Sequence, residues 1–477
     1  MGEHFDLIVL GGGPAGERAA IQAAKLNKRA ALVEKERVVG GTCVNWGAIP
    51  SKTLRESALF VQGLSARKLD GIQCEISKDI SVQDFMYRER LVVQRELQLI
   101  NEALDRWSVK LYKGHGEFVD AHTVAVRGVD DKARLYLTGD FVVIATGSSP
   151  SHPADIDFDS AVVFDSATIL ALPRMPRSII VLGAGVIGVE YASIFAALGL
   201  EVTLIDTRPE LLPFLDRESA GILERELTRL GIVITHGDHY QTIEKIASDP
   251  PSVRLCTRNG NRHEADVLLY CVGRDGNTAD LGLDCIGLSA NERGLLSVNE
   301  HLQTEVSHIY AAGDVIGYPA LASTSMEQGR LAVRHAFGVK GPRGDTEHLP
   351  FAIYAIPEVS YIGENEETLA ARGIPFLVGR GRYELNPRGQ IIGDTGGLLK
   401  LLFHQETLQL LGVHVVGSAA SELVHIGQAF LQCRATAIQI AETLYNYPTL
   451  SDLYRHAAVD AWIASQKGSD HPVLLAR

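Results

Sequence analysis

Two glycine-rich segments, Gly11–Gly16 (GGGPAG) and Gly183–Gly188 (GAGVIG), contain the residues best suited to chemistry in this chain. Each has glycine at its first, third and sixth positions. Each is also followed at the same spacing by an acidic residue, Glu34 or Asp206. Glycines in this pattern let the backbone approach a pyrophosphate, and a carboxylate at that distance accepts hydrogen bonds from a ribose. The spacing therefore predicts the binding of two dinucleotides.

The residues around each motif predict the elements that position it. Phe5–Leu10 and Ser178–Leu182 are short apolar runs typical of buried strands, and a helical pattern follows each glycine turn. Second strands, Arg29–Val33 and Glu201–Ile205, lead to the two acids. The sequence therefore predicts an α/β fold with two Rossmann-like units.

The three glycines of each motif have separate tasks. The first allows the tight turn, the second lets the pyrophosphate approach the backbone, and the third lets the helix pack closely on the strand. The helix N-terminus adds unpaired N–H groups and the positive end of its dipole. These candidate cofactor-binding residues are Gly11, Gly13 and Gly16 in the first motif and Gly183, Gly185 and Gly188 in the second.

Length and composition are those of an ordinary globular protein. The 477 residues suit roughly three domains. The formal net charge of −13 disfavours nucleic acid and anionic membranes as partners, because both select clustered Lys and Arg. The six cysteines form no paired CxxC motif and no His-Cys cluster, so we predict neither a secreted disulfide framework nor a metal site.

One apolar stretch has the length of a membrane span. Ile179–Leu200 is 22 residues long and Glu190 is its only charge, but its glycines form the second dinucleotide motif. We therefore predict no membrane span. The first strand begins at Phe5, without a basic segment and a separate apolar core before it, and we expect a cytoplasmic protein.

Residues 40–52, GGTCVNWGAIPSK, resemble the redox-disulfide motif of the flavin disulfide reductases, the pyridine nucleotide-disulfide oxidoreductase family. In that family two cysteines form a bridge beside the flavin. Cys43 matches the first of them, whereas Ala48 stands at the position of the second. Thiol–disulfide exchange needs an attacking thiolate and a sulfur leaving group, so one cysteine cannot perform it within the motif.

A second segment also lacks a residue that disulfide chemistry in this family requires. Disulfide reductases of this family use a His general base in a His-Pro-Thr-x-x-Glu segment from the partner subunit. The matching residues here are Tyr447–Asp452, YPTLSD. A tyrosine, with an ordinary pKa of about 10, does not relay protons to a thiol at neutral pH as His does. The chain thus resembles the branch without the second cysteine, the soluble pyridine nucleotide transhydrogenases.

The resemblance implies FAD at the first site and NAD or NADP at the second. Val142–Gly147 resembles the strand and turn that close the FAD half, and Ile309–Asp314 resembles a late Gly-Asp motif that binds the flavin's ribityl chain. The implied FAD ligands are Gly11, Gly13, Gly16, Glu34, Thr42, Gly147 and Asp314. The implied NAD(P) ligands are Gly183, Gly185, Gly188, Asp206 and Arg208. Gly273, in a stretch that resembles the segment returning to the FAD domain, is a further candidate cofactor-binding residue.

Two charged residues are the candidate catalytic residues. Lys52 matches a family lysine near the flavin N5, and Glu190 matches its carboxylate partner. We predict an ion pair between them that tunes flavin reduction and positions the nicotinamide. For Cys43, which lacks a second cysteine nearby, a packing role is favoured over thiol chemistry.

The implied architecture is two Rossmann-like dinucleotide-binding domains, for FAD and NAD(P), plus a C-terminal α+β dimerisation domain. Two helices are predicted as an insertion at about 52–107, and Gly341–Glu347 is predicted to link the last domain. The resemblance implies a homodimer formed through that domain. The predicted boundaries are 1–150 and 276–345 for the FAD domain, 151–275 for the NAD(P) domain and 346–477 for the dimerisation domain.

The choice of nucleotide at the second site stays open. Asp206 favours NAD, because a carboxylate accepts ribose hydroxyls and repels a 2′-phosphate, whereas Arg208 can pair with that phosphate. The resemblance implies ping-pong transfer of a hydride between NADPH and NAD⁺ by way of the flavin. Two alternatives remain: a NAD(P)H dehydrogenase, or diaphorase, that reduces a quinone or another small acceptor, and a catalytically slow flavin-loaded NAD(P)H sensor.

Overall fold

The structure is a computed structural model that describes residues 2–66, 82–128, 134–159, 161–172, 174–341 and 348–466. The chain forms two compact units. The predicted linker Gly341–Glu347 lies, beyond its first residue, outside the described residues. The domain boundaries given above stay predictions. The first unit comprises Met1–Ser57, Glu75–Met175 and Val272–Gly344, and the second comprises Ala58–Cys74, Pro176–Cys271 and Asp345–Arg477.

A seven-stranded sheet forms the centre of the first unit. Glu3–Leu10 pairs in parallel with Ala30–Glu34 on one side and with Arg134–Ile144 on the other. Every residue of Ala30–Glu34 is buried, as expected for a parallel strand that is covered on both faces. The strand order is Lys110–Lys113, Ala30–Glu34, Glu3–Leu10, Arg134–Ile144, Thr123–Arg127 and His115–Asp120, with Ile309–Ala311 also paired to Arg134–Ile144.

Helices cover this sheet. Pro14–Lys25 follows the first glycine turn and packs on the strands through its buried alanines. The sequence predicts two helices at about 52–107. The long helix Ala48–Ala66 begins shortly before that stretch and Tyr87–Arg106 lies within it. The residues of the first helix from Ala58 onward belong to the second unit. Further elements of the first unit are the helices Gly41–Asn45, Val82–Phe85 and Ala322–Ala336 and the strands Ser148–Pro150, Val163–Asp165 and Arg274–Gly276.

The second glycine turn lies in the second unit and is built in the same way. Helix Val186–Ala197 follows it and is buried on nearly all sides, which explains why its sequence is apolar throughout. The stretch Ile179–Leu200 is therefore a strand, a turn and a helix. Within the part of the chain that the structure describes, no helix is long and apolar enough to cross a membrane. The parallel strands are ordered Val233–Thr235, Glu201–Ile205, Ser178–Leu182 and Val267–Tyr270.

The C-terminal part of the second unit is a five-stranded antiparallel sheet with helices. Helix Leu453–Ser465 packs on the strand Phe376–Arg382, and glycine permits the contact: a Cβ at Gly379 would lie 1.9 Å from the carbonyl oxygen of Ala457. The strand order is Phe351–Ile353, Val359–Gly363, Leu410–Val416, Leu398–His404 and Phe376–Arg382. The other helices of the unit are Arg217–Arg229, Glu366–Ala371, Pro387–Ile392, Ala420–Gln432 and Ala437–Glu442, and its remaining strands are Tyr240–Ile246, Ser252–Thr257 and Arg262–Ala265.

Candidate active site

The first and third glycines of both motifs occupy positions that suit only glycine. Gly11 and Gly183 have φ of +100° and +102°, in the left-handed region. A Cβ at Gly16 would lie 1.8 Å from the carbonyl oxygen of Gly11, and a Cβ at Gly188 would lie 1.9 Å from that of Gly183. The helix of each motif therefore lies directly against the turn that precedes it.

The second glycine of each motif borders open space. A Cβ at Gly13 would have its nearest neighbour, the Cα of Gly41, at 3.7 Å, and a Cβ at Gly185 would have none of the described atoms within 4 Å. Both glycines precede a helix, and glycine has no side chain to cap the first helical N–H groups. A pyrophosphate fits both places, since each offers room beside the backbone and donors at the positive end of a helix dipole.

The two acids are fixed to their glycine turns. Glu34 accepts a hydrogen bond at Oε2 from the N–H of Gly12 at 2.8 Å, and Asp206 accepts one at Oδ2 from the N–H of Ala184 at 2.5 Å. Both carboxylates are buried, and both lie at the C-terminal ends of the second strands. This is the place where an acid of a dinucleotide motif meets a ribose.

Asp206 and Arg208 form a forked ion pair. The guanidinium donates from Nε to Oδ1 at 2.9 Å and from Nη2 to Oδ2 at 2.6 Å. Burial raises the pKa of Asp206, but the hydrogen bonds from Arg208 outweigh burial and hold that pKa below its ordinary value. In the sequence these residues are rival signals, one for NAD and one for NADP, whereas in the structure they are partners.

A polar corner surrounds Asp314 in the first unit. Its Oδ2 accepts a hydrogen bond from the Ser148 hydroxyl at 2.8 Å, and that hydroxyl accepts one from Nε of Arg274 at 2.9 Å. Gly147 has φ of +71° and open space where a Cβ would stand. The Oγ1 of Thr146 is buried and has no hydrogen-bond partner among the described residues. A buried hydroxyl without a partner is costly, so this corner fits a polar group of FAD.

The segment that begins at Gly273 is hydrogen-bonded to the strand that follows Gly147. Gly273 has φ of +94°, and its carbonyl oxygen accepts a hydrogen bond from the N–H of Ser151 at 3.2 Å. The residues after it, Arg274–Gly276, pair antiparallel with Ser148–Pro150. The predicted ligands Gly273 and Gly147 therefore belong to the two ends of one short ribbon.

Cys43 lies in the short helix Gly41–Asn45 and is half-buried. Burial raises the pKa of its thiol, and the positive charge of Lys52 only partly opposes this effect. At neutral pH the thiol is protonated and is a poor nucleophile. The packing role that the sequence favours for Cys43 stays a prediction.

The segment that contains Thr42 rests on the first glycine turn. A Cβ at Gly41 would lie 2.8 Å from the Cα of Gly13, which brings the start of the short helix next to the expected pyrophosphate. Thr42 accepts hydrogen bonds at its carbonyl oxygen from the N–H groups of Trp46 and Gly47. Ala48 then begins the long helix that carries Lys52.

Lys52 and Glu190 lie in different units. Nζ of Lys52 is 3.4 Å from the hydroxyl of Ser51 in the first unit. Glu190 is 5% exposed in the second unit, and its Oε1 accepts a hydrogen bond from the N–H of Tyr354 at 2.8 Å. The ion pair between lysine and glutamate stays a prediction.

Two hydrogen-bond donors to predicted site residues were not predicted from the sequence: the Ser148 hydroxyl and the backbone N–H of Tyr354. Ser148 directly follows the predicted turn, but a serine there looks like any polar loop residue. The Tyr354 amide reaches Glu190 from 164 positions further along the chain, and backbone donors leave no signal in a sequence. The position of Ser148 beside Gly147 is the one clue that was available.

Comparison with known proteins decides the family. Residues 5–329 match the family described as pyridine nucleotide-disulphide oxidoreductase, and residues 349–458 match its dimerisation domain. The chain belongs to this family. As a member it is a flavoprotein oxidoreductase that uses FAD and NAD(P), which confirms the predicted fold class and cofactors.

Individual relatives match along nearly the whole chain. The soluble pyridine nucleotide transhydrogenase of Mycobacterium tuberculosis (strain ATCC 25177 / H37Ra) is 44% identical over 457 residues, which cover 96% of this chain and 97% of that protein. The enzyme of the same name from Chromohalobacter salexigens is 43% identical over 458 residues, covering 95% and 97%.

Solved structures show the same architecture. LpdA from Mycobacterium tuberculosis superposes with a TM-score of 0.87 at 26% identity, covering 96% of this chain and 99% of that one. The HOCl-induced flavoprotein disulfide reductase RclA from Escherichia coli gives a TM-score of 0.85 at 26% identity, covering 95% and 99%.

Proposed function

We propose that this protein is a transhydrogenase that transfers a hydride between NADPH and NAD⁺ with FAD as its bound cofactor. The observation that carries the proposal is Ala48: both dinucleotide motifs are complete, but the second sulfur of the redox motif is absent. The name of the relatives, soluble pyridine nucleotide transhydrogenase, supports it, since they match along at least 95% of the chain.

The protein's own part in this reaction is to bind and orient. When bound, FAD supplies reversible two-electron chemistry, so neither a protein nucleophile nor a metal is required. In the described part of the chain, no group of three His, Cys, Asp or Glu residues is arranged to hold a metal ion. We assign Gly11, Gly13, Gly16, Glu34, Thr42, Gly147 and Asp314 to FAD, and Gly183, Gly185, Gly188, Asp206 and Arg208 to NAD(P). Gly273 is a further proposed cofactor-binding residue.

Lys52 and Glu190 are the proposed catalytic residues. A buried carboxylate that accepts a backbone hydrogen bond, as Glu190 does from Tyr354, is fixed in direction. A fixed carboxylate is suited to hold a lysine or the edge of a nicotinamide in one orientation, and orientation accounts for much of the rate in reactions between bound partners.

Reduction of an external disulfide is disfavoured by three observations. Ala48 offers no second sulfur, the raised pKa keeps the Cys43 thiol protonated, and Tyr447 stands where the family has its His base. Each of these changes removes a different requirement of thiol exchange.

Anaerobic stopped-flow measurement tests the proposal. The FAD-loaded protein is reduced with NADPH and then mixed with NAD⁺ while the absorption of oxidised flavin is followed. We expect reduction by NADPH and rapid reoxidation by NAD⁺. Reduction by NADH alone, with reoxidation by a quinone but not by a nicotinamide, contradicts the proposal and favours the diaphorase. Slow reoxidation by every acceptor contradicts it too and favours the sensor.

We also propose that the protein forms a homodimer through its C-terminal part and acts in the cytoplasm. Residues 349–458 match the family's dimerisation domain. Large apolar side chains are exposed there, as at an interface: Leu385, Ile391, Leu444 and Tyr447. Cys43, Cys256, Cys285 and Cys433 form no disulfide bond, as in a reducing compartment. Multi-angle light scattering tests the assembly, and Leu444→Asp should increase the monomer fraction.

A further inference from the structure

The carboxylate of Asp206 is held by four donors. Two are backbone N–H groups, from Ala184 to Oδ2 at 2.5 Å and from Arg208 to Oδ1 at 2.8 Å. The other two come from the Arg208 guanidinium, whose fork covers both oxygens. The carboxylate thus keeps half of its hydrogen bonds when the guanidinium moves away.

The backbone that carries this pair is fixed to the next strand connection. The N–H of Asp206 donates to the carbonyl oxygen of Thr235 at 2.9 Å, and the N–H of Asp238 donates to that of Asp206 at 3.1 Å. The N–H of Gly237 donates to the carbonyl oxygen of Arg208 at 3.0 Å. Movement at this site is therefore a movement of side chains.

Only one of the two side chains is free to move. The Asp206 side chain is 5% exposed, whereas that of Arg208 is 38% exposed. An arginine on a flexible stem can leave one acceptor for another without disturbing the backbone, and a phosphate is an acceptor for the same planar fork.

We infer that Arg208 is shared between two acceptors: it stays on Asp206 when NAD binds, and it moves to the 2′-phosphate when NADP binds. This inference rests on the proposed function, which requires one site to accept both nucleotides in turn. With NAD the adenosine ribose donates a hydroxyl to Asp206 in place of one arm of the guanidinium fork, while the other arm stays on the carboxylate. With NADP the guanidinium meets the 2′-phosphate, and Asp206 keeps its two backbone donors.

The same pair explains why an acid here does not exclude NADP. A lone carboxylate repels a 2′-phosphate, but the carboxylate of Asp206 lies beside a guanidinium of opposite charge. The preference of Asp206 for NAD and that of Arg208 for NADP therefore correspond to two positions of the Arg208 side chain. In this arrangement Asp206 determines affinity for NAD, and Arg208 determines affinity for NADP.

Equilibrium binding of NAD⁺ and NADP⁺ to the FAD-loaded protein, measured by titration calorimetry, tests the inference. Arg208→Met, which keeps the aliphatic stem, should weaken NADP⁺ binding by about tenfold to a hundredfold, as expected for loss of charged hydrogen bonds. It should change NAD⁺ binding by less than about threefold. Asp206→Asn should weaken NAD⁺ about fivefold and should not weaken NADP⁺.

Arg177→Ala is the matched control. This arginine is 85% exposed and precedes the strand Ser178–Leu182, at the end of the sheet opposite the glycine turn, so it should leave both affinities unchanged. Retained NAD⁺ binding shows that Arg208→Met is folded. Equal weakening of both nucleotides by Arg208→Met, or of neither, means that the pair is static and overturns the inference.

The two proposals fail differently. Binding constants for oxidised nucleotides do not depend on hydride transfer. If NADP⁺ depends on Arg208 as expected but reduced flavin is not reoxidised by NAD⁺, the transhydrogenase proposal is wrong and the shared arginine stands. If NAD⁺ reoxidises the reduced flavin but Arg208→Met binds NADP⁺ normally, the transhydrogenase proposal stands and the inference of a shared arginine is wrong.

Discussion

A buried lysine in the second unit leads to the most demanding prediction. Lys400 lies in the strand Leu398–His404 and its side chain is 0% exposed. Its Nζ is 2.8 Å from Oδ2 of Asp216 and 3.1 Å from Oε2 of Glu218, and it also pairs with Glu366. Substitution by methionine keeps the volume and removes the charge, which leaves these carboxylates without their shared cation.

The size of the stability loss expected for Lys400→Met follows from the burial of its partners. The Asp216 side chain is 1% exposed, so it loses a fully buried partner, and breaking such a pair costs about 3–5 kcal/mol. Glu218 and Glu366 are 30% and 34% exposed, and solvent screens their loss. Glu218 also keeps the fork of Arg380, with donors at 2.9 Å. We therefore expect Lys400→Met to destabilise the protein by about 3–5 kcal/mol, nearly all of it through Asp216.

Urea unfolding of the FAD-loaded protein, followed by circular dichroism, measures this loss as a fall in the midpoint. Lys340→Met, at an exposed lysine, is the control and should change stability by less than about 0.5 kcal/mol. Asp216→Asn should restore part of the loss in the Lys400→Met protein. Asn removes the charge and can still cap the helix Arg217–Arg229, as Asp216 does through Ser219.

Two results would refute this reasoning. One is a midpoint for Lys400→Met that equals that of the control. The other is a double variant that is less stable than Lys400→Met alone, because an uncompensated charge on Asp216 is the stated cause of the loss.

Three further predictions use the same structure. Burial raises the pKa of Asp216, but nearby positive groups outweigh burial and lower that pKa. The contribution of Asp216 to folding stability is therefore present above about pH 4 and is lost as the pH falls through its folded-state pKa. The urea midpoint should fall in acid, and it should fall less in the Lys400→Met protein. Gly188→Ala should lower the thermal midpoint, because its Cβ would lie 1.9 Å from a carbonyl oxygen, whereas Gly185→Ala should preserve that midpoint and weaken NAD⁺ binding in calorimetry. Ala48→Cys should give little disulfide-reductase turnover in an NADPH-coupled assay, because Tyr447 replaces the base; turnover like that of a disulfide reductase would contradict the roles assigned to both residues.

Those parts of the site that depend on local spacing could be predicted from the sequence. The glycines of each motif lie within six residues, and the turn, the helix start and the close helix–strand contact follow from that spacing alone. The positions of Glu34 and Asp206 at the ends of the second strands could be predicted for the same reason, because one helix and one strand separate each acid from its turn.

The parts that depend on distant chain segments could not be predicted. Lys400 interrupts an apolar strand, LLKLLFH, which signals a buried charge but not its partner, and Asp216 lies 184 positions earlier. The bond between Ser148 and Asp314 spans 166 positions. The ion pair between Asp206 and Arg208 is local in the sequence. It was still not predicted, because each residue favours a different nucleotide and only the geometry shows that the two side chains are bonded to each other.

The position of Ala48 explains how thiol chemistry can be lost while the fold is kept. This residue begins the helix Ala48–Ala66, and alanine has the highest helix propensity, so the missing sulfur is not needed to form the helix. The first glycine turn depends on the close approach of Gly13 and Gly41, where a Cβ at Gly41 would lie 2.8 Å from the Cα of Gly13, and this approach does not involve position 48. The covalent step and nucleotide binding are therefore separable, and Ala48→Cys should leave the affinities for FAD and NAD⁺ unchanged. A large fall in either affinity would show that the two are coupled.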